Sequence, residues 1–147
     1  MFNFRLQSIL DIREIQEDKS LLDFSEQQKA LQKEKEELHN IQQQKMKILD
    51  NLRDIQGKTV NVSEIMLQSD GMALYQKYED IQTERVVEAV KKTDEKKDEL
   101  LEASKKRKTM EILKSKMFRK YQSESEAKER GLIDEMAILR HKRREQE

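Results

Sequence analysis

Gly57-Lys58-Thr59-Val60-Asn61-Val62-Ser63 is the stretch where one long helical pattern stops and another starts. Gly57 follows a periodic run and suits the left-handed residue that closes a helix. Thr59, Val60 and Val62 are β-branched and lose side-chain freedom in a helix. Asn61 fits an N-cap, and Glu64 completes a variant of the capping box. Stop and start signals side by side predict two helices in an antiparallel hairpin. The competing arrangement is a single continuous rod kinked at the glycine. The expected layout is one coiled-coil hairpin domain over residues 1–147, with arm one at about 3–56, the turn at about 57–62 and arm two at about 63–140.

Composition points the same way. The chain has 147 residues, no proline and three glycines, with 41% charged and 35% hydrophobic residues. That is the profile of long all-α elements touching along a seam, and it is too polar for a thick globular core. Lysine plus arginine number 30, as do aspartate plus glutamate, so the net charge is zero and generic nucleic-acid binding is not indicated. The absence of cysteine excludes disulfides, thiolate nucleophiles and cysteine metal sites. No apolar run approaches the roughly 18 residues of a membrane span. The start, Met1 to Leu6, lacks the apolar core and cleavage site of a secretory signal, so a cytoplasmic protein is expected.

In arm one, Phe24, Leu31, Leu38 and Leu52 fall on one seven-residue series, interrupted by Lys45. Ile41, Ile48 and Ile55 lie three residues after members of that series, which makes an a/d seam. Gln27 and Glu34 are polar members of it. A helix of about 50 residues is about 75 Å long and needs a partner along its seam. Arm two is the nearest partner. The N-terminal segment Phe2, Phe4, Leu6, Ile9, Leu10, Ile12 and Ile15 is the most apolar part of arm one. It packs on arm two, docks into another protein, or does both.

In arm two, Leu67, Leu74 and Ile81 recur every seven residues, with Tyr78, Met66, Val86, Val87 and Val90 thickening the stripe. Gly71 either is tolerated within the helix or breaks it. Lys91 to Glu99 contains no large apolar residue and reads as a solvated helix held by charge pairs. Lys105-Lys-Arg-Lys108 is a basic cluster, either a solvated face or a patch for an acidic partner. Met110, Leu113, Met117 and Tyr121 form a tight stripe flanked by Ile112 and Phe118. Pairing about the turn sets Leu6 near Ile112, so the two apolar ends coincide. The last stripe, Leu132, Ile133, Met136 and Leu139, runs past arm one.

Nothing here reads as an active site. His39 and His141 lie in charged helical runs without the spacing of metal ligands or a general base. Gly57-Lys58-Thr59 resembles only the tail of a phosphate loop. Carboxylates on a coiled coil have no water-excluding pocket in which to shift a pKa. A non-enzyme without cofactors is expected, working by contact.

The termini resemble those of the FliJ family of the flagellar type III export apparatus. The likeness rests on Phe2-Asn-Phe-Arg-Leu-Gln-Ser-Ile-Leu-Asp-Ile-Arg13 and on Glu-Arg-Gly-Leu-Ile-Asp-Glu-Met-Ala-Ile at 129–138. The resemblance implies a two-helix stalk like that of rotary ATPases, peripheral at the cytoplasmic side of the inner membrane. Its paired termini would enter the ring of the export ATPase FliI and promote ring assembly. It would also contact the export gate protein FlhA and handle export chaperones. The implied ring-binding tip is Phe4, Leu6, Ile9, Leu10 and Arg13 opposite Met110, Leu113, Met117 and Tyr121. The implied gate contact is Tyr75 and Tyr78, although Gln82 and Arg85 after them are more polar than the family pattern. Two other readings of the residues stay open: a homodimeric structural coiled coil, and a holdase-type chaperone.

Overall fold

The computed structural model describes residues 2–55, 57, 59 and 61–144. It contains two helices, α1 (Gln7–Ile55) and α2 (Val62–Arg144), packed as an antiparallel coiled-coil hairpin. Helix α1 begins four residues later than its periodicity suggests. The Phe4 carbonyl accepts a hydrogen bond from the Gln7 amide at 3.0 Å, and the Leu6 carbonyl accepts from Ile9 and Leu10, both at 3.1 Å. This turn brings Phe4 to a position only 4% exposed.

The start of α2 is capped as its sequence implies. Asn61 Oδ1 accepts from the Ser63 amide at 3.4 Å, and its carbonyl accepts from the Glu64 amide at 3.0 Å. Glu64 adds negative charge to the first turn, where it meets the positive end of the helix dipole. Gly57 departs from expectation, because no glycine among the described residues has a positive φ. The chain therefore leaves α1 without a left-handed glycine, and a Cβ at Gly57 would meet nothing within 4 Å. Gln56, where the sequence places the end of arm one, lies outside the described residues, as do Lys58 and Val60.

Contacts divide the chain into two compact units. One comprises Met1–Glu17 with Ala103–Glu147, and the other Asp18–Glu102. In the second unit, α1 presents the predicted seam. Phe24, Gln27, Leu31, Glu34, Leu38, Ile41, Lys45, Ile48, Leu52 and Ile55 are all half-buried, at alternating spacings of three and four.

Helix α2 corrects the prediction. Leu67, Leu74 and Ile81 face outward, 71%, 47% and 51% exposed, and Met66, Tyr78, Val87 and Val90 are exposed with them. The seam is one residue on: Gln68, Met72, Tyr75, Glu79, Gln82, Val86, Ala89, Thr93, Lys96 and Leu100. The physical reason lies downstream. Val86, Ala89, Thr93 and Leu100 continue this series, whereas Arg85, Glu88, Lys92 and Glu99 continue the other. Burying that second set of charges costs more than exposing three aliphatic side chains. Thr93 is consequently 8% exposed, with its hydroxyl donating to the Ala89 carbonyl at 2.8 Å. The segment Lys91 to Glu99 is thus part of the seam and not solvated all round.

The helix runs unbroken through Gly71. A Cβ there would lie 3.7 Å from Ile48 Cδ1, an ordinary contact. Gly71→Ala is expected to stabilise the hairpin by about 1 kcal/mol, the propensity difference in a helix interior. Thermal unfolding followed by circular dichroism checks it; a lower melting temperature would mean that the contact with Ile48 is too tight.

Candidate functional site

Among the described residues there is no group of three metal-ligand side chains, and no helix is long and apolar enough to cross a membrane. The candidate sites are surfaces, one in each unit.

In the unit of the two chain ends, Phe4 and Leu10 are 4% and 3% exposed and form its buried base. Leu6, Arg13 and Met110 are half-buried. Ile9, Leu113, Met117 and Tyr121 are 41%, 37%, 39% and 38% exposed. Of the predicted tip residues, these four are the ones that offer most apolar surface to a partner. Phe4 and Leu10 can act only by holding the tip together.

Two residues outside the predicted tip pack beside it, Phe2 and Phe118. Phe2 packs edge-on against Phe118 at 5.3 Å between ring centres and at a tilt against Tyr121 at 5.7 Å. Such pairs contribute about 0.5–1.5 kcal/mol beyond area burial. Their signal was present in the phenylalanines just before α1 and in Phe118 beside the methionine stripe.

The pairing is also displaced. Lys114 Nζ donates to Gln7 Oε1 at 2.8 Å, and Phe2 meets Phe118. Pairing symmetrical about the turn would set Gln7 level with Glu111, almost one turn earlier. Arg107, from the predicted basic cluster, lies half-buried in the seam. Its guanidinium bonds Glu17 and, through Nη1, Glu111 Oε1 at 2.5 Å. Arg107 holds the Glu17 carboxyl below its ordinary range, helped by Ser104 and opposed by partial burial.

Past this unit's packed part, α2 continues as exposed helix. Leu132, Ile133, Met136 and Leu139 are 58–64% exposed. Arg130 lies 3.9 Å from Glu126 and Lys120 3.9 Å from Glu124.

In the second unit, Tyr75 and Tyr78 stack edge to face at 5.9 Å. Tyr75 is half-buried in the seam, whereas Tyr78 is 46% exposed. Tyr78 continues the outward row of Leu67, Leu74 and Ile81. The seam beneath is cross-linked by polar groups. Lys45 Nζ donates to Glu79 Oε2 at 2.6 Å and to Gln76, and Gln42 donates to Glu79 Oε1 at 3.1 Å. These bonds, led by that of Lys45, hold the Glu79 carboxyl below its ordinary range. Gln82, 2% exposed, donates to the Glu34 carbonyl at 3.0 Å and to Glu34 Oε2 at 2.5 Å.

The depressed carboxyls in the seam, Glu17 and Glu79, set an acid limit. A carboxyl with a lower pKa in the folded state contributes stability that is full above its unfolded pKa, near 4.5, and lost as pH falls through the folded value. The melting temperature is expected to fall on acidification below about pH 4.5. Glu17→Gln with Glu79→Gln should flatten that fall. An equal slope in this double variant would show that other carboxylates carry it.

Comparison with known proteins adds a family and a fold. No curated protein matches the sequence. Among solved structures, CT670 from Chlamydia trachomatis, a proposed YscO homolog, is similar with a TM-score of 0.59. The two are 19% identical, and the match covers 100% of this chain and 99% of that one. At that identity the likeness concerns the fold alone. The family model for the flagellar FliJ protein matches residues 1–146. With that match over nearly its whole length, the chain belongs to the flagellar FliJ protein family.

Proposed function

We propose that this protein is an accessory stalk and chaperone-escort component of the flagellar type III export apparatus. It inserts its paired termini into the ring of the export ATPase FliI and promotes ring assembly. It couples the ring to the export gate protein FlhA and hands on export chaperones from the cytoplasmic side of the inner membrane. It performs no chemistry and needs no cofactor.

Family membership supports the setting. The observation that carries the reading is the tip, where Ile9, Leu113, Met117 and Tyr121 stand exposed on a base of buried Phe4 and Leu10. A shaft in a ring that changes state needs a fixed base and a soft contact surface. The methionines suit this, because an unbranched polarizable side chain adapts to different neighbours. Leu6, Arg13 and Met110 lie at the margin of that surface. The outward row of Leu67, Leu74, Tyr78 and Ile81 is the face for the gate protein, with Tyr75 fixing the Tyr78 ring from within the seam. The same row favours one other reading, a homodimer closed through it. A concentration-independent monomer by sedimentation removes that alternative.

The test is stimulation of FliI ATPase by an Ile9→Asp, Met117→Asp double variant. Both positions are about 40% exposed, so helicity should persist. Loss of two central apolar contacts at about 2 kcal/mol or more in total weakens association by about thirtyfold. Half-maximal stimulation should therefore require about thirtyfold more of the variant than of the natural chain. Undiminished stimulation would overturn the tip assignment.

A further inference from the structure

Between Leu67 and Gln82, α2 carries two faces of heptad spacing that lie one residue apart. The inner face is Gln68, Met72, Tyr75, Glu79 and Gln82, and it is half-buried or buried. The outer face is Leu67, Gly71, Leu74, Tyr78 and Ile81, whose large side chains are 46–71% exposed. Opposite them α1 offers Leu38, Ile41, Ile48, Leu52 and one charge, Lys45. Hydrophobic burial alone would choose the outer face, since it is the more apolar of the two. The polar bonds choose the inner one. Lys45 with Glu79 and Gln76, Gln42 with Glu79, and Gln82 with Glu34 all fall within this one segment.

We propose that the turn-proximal part of α2, residues 62–82, swivels between two seams. One is the observed seam, locked by Lys45–Glu79 and Gln82–Glu34. In the other, a rotation of about 100°, the angle of one residue, brings Leu67, Leu74, Tyr78 and Ile81 onto the apolar row of α1. The exchange exposes Glu79 and Gln82 and leaves Lys45 to reach solvent along its own methylenes.

The swivel ends between Ile81 and Val86, whose spacing of five in the exchanged seam, against four from Gln82 in the observed one, is taken up by a single π-turn. Beyond Gln82 the outer face continues as Arg85, Glu88, Lys92 and Glu95, which cannot replace Val86, Ala89 and Thr93 in the seam. Ala89 and Thr93, each 8% exposed, pin the helix there. Gly71 places no side chain between α2 and Ile48, whose Cδ1 would stand 3.7 Å from a Cβ there. If the outer row docks the gate protein, as proposed above, that docking and the swivel compete for the same side chains. A bound partner would then hold the lock closed. The swivel itself does not depend on that reading.

The chain has no cysteine, so introduced pairs report without background. Ile48→Cys with Met72→Cys reports the observed seam, and Ile41→Cys with Tyr78→Cys the exchanged one. Each pair is oxidised in the natural background, in Lys45→Leu and in Glu79→Ala, with helicity checked by circular dichroism. Opening the lock should raise the exchanged cross-link relative to the observed one by about fivefold or more, the population change that loss of one stabilising interaction brings. Glu79→Ala opens the lock from the opposite helix and decides the matter should Lys45→Leu lose helicity. An unchanged ratio in a helical variant would overturn the proposal.

Discussion

The ion pair of Lys45 with Glu79 fixes what this hairpin can be. Both side chains are mostly buried, 24% and 19% exposed, so each has given up much of its hydration. In net stability such pairs return little over apolar contacts of the same size. Their effect is on register. A leucine seam tolerates a slip or a rotation, because one aliphatic contact replaces another. A lysine paired with a carboxylate disfavours both. Gln82 on Glu34 repeats the constraint within the same unit, and Arg107 between Glu17 and Glu111 imposes it in the unit of the chain ends. These polar layers match within a single chain. A second copy can satisfy them only by reproducing the same pairings between chains, which argues for an intramolecular pair as the resting state.

The apolar contribution is correspondingly thin. Among the described residues only Phe4, Leu10 and Ala89 are apolar and buried. Each half-buried layer stabilises a little, and no single layer dominates. Isolated exposed leucines on such a molecule need no explanation. Exposed rows at heptad spacing do, because regular spacing on one face is what a second helix requires. Leu67, Leu74, Tyr78 and Ile81 form such a row, and Ile9, Leu113, Met117 and Tyr121 form a cluster over the aromatic contacts of Phe2.

Much of this was legible in the residues. Helix α1 shows one apolar series, from Phe24 to Ile55, and the structure half-buries that series along the seam. Asn61 starts α2 because its side chain does there what few others can. Helix α2 misled because it holds two series one residue apart, and the locally apolar one lost. The outcome depends on Lys45 across the seam and on Ala89 and Thr93 downstream, which no window of α2 around Leu74 contains. The apolar ends could be read from the sequence, but the burial of their residues could not be ranked. Periodicity assigns Leu10 and Ile9 alike to an apolar end, and only packing makes one 3% and the other 41% exposed. Gly57 shows the opposite error: a glycine in a connection invites a left-handed reading that the backbone does not use.

The C-terminal part of α2 completes the physical picture. From Gln122 to Gly131 the helix has no large apolar residue, and its last apolar row is exposed. Side-chain pairs three or four residues apart add only about 0.2–0.5 kcal/mol each to such a helix. A nucleated helix gains most of its stability from packing, which this stretch does not find within the described residues. Leu132, Ile133, Met136 and Leu139 therefore hold free energy that is realised only when another surface covers them. The seam is polar enough to favour the observed geometry, and the apolar surface that it leaves over stands exposed.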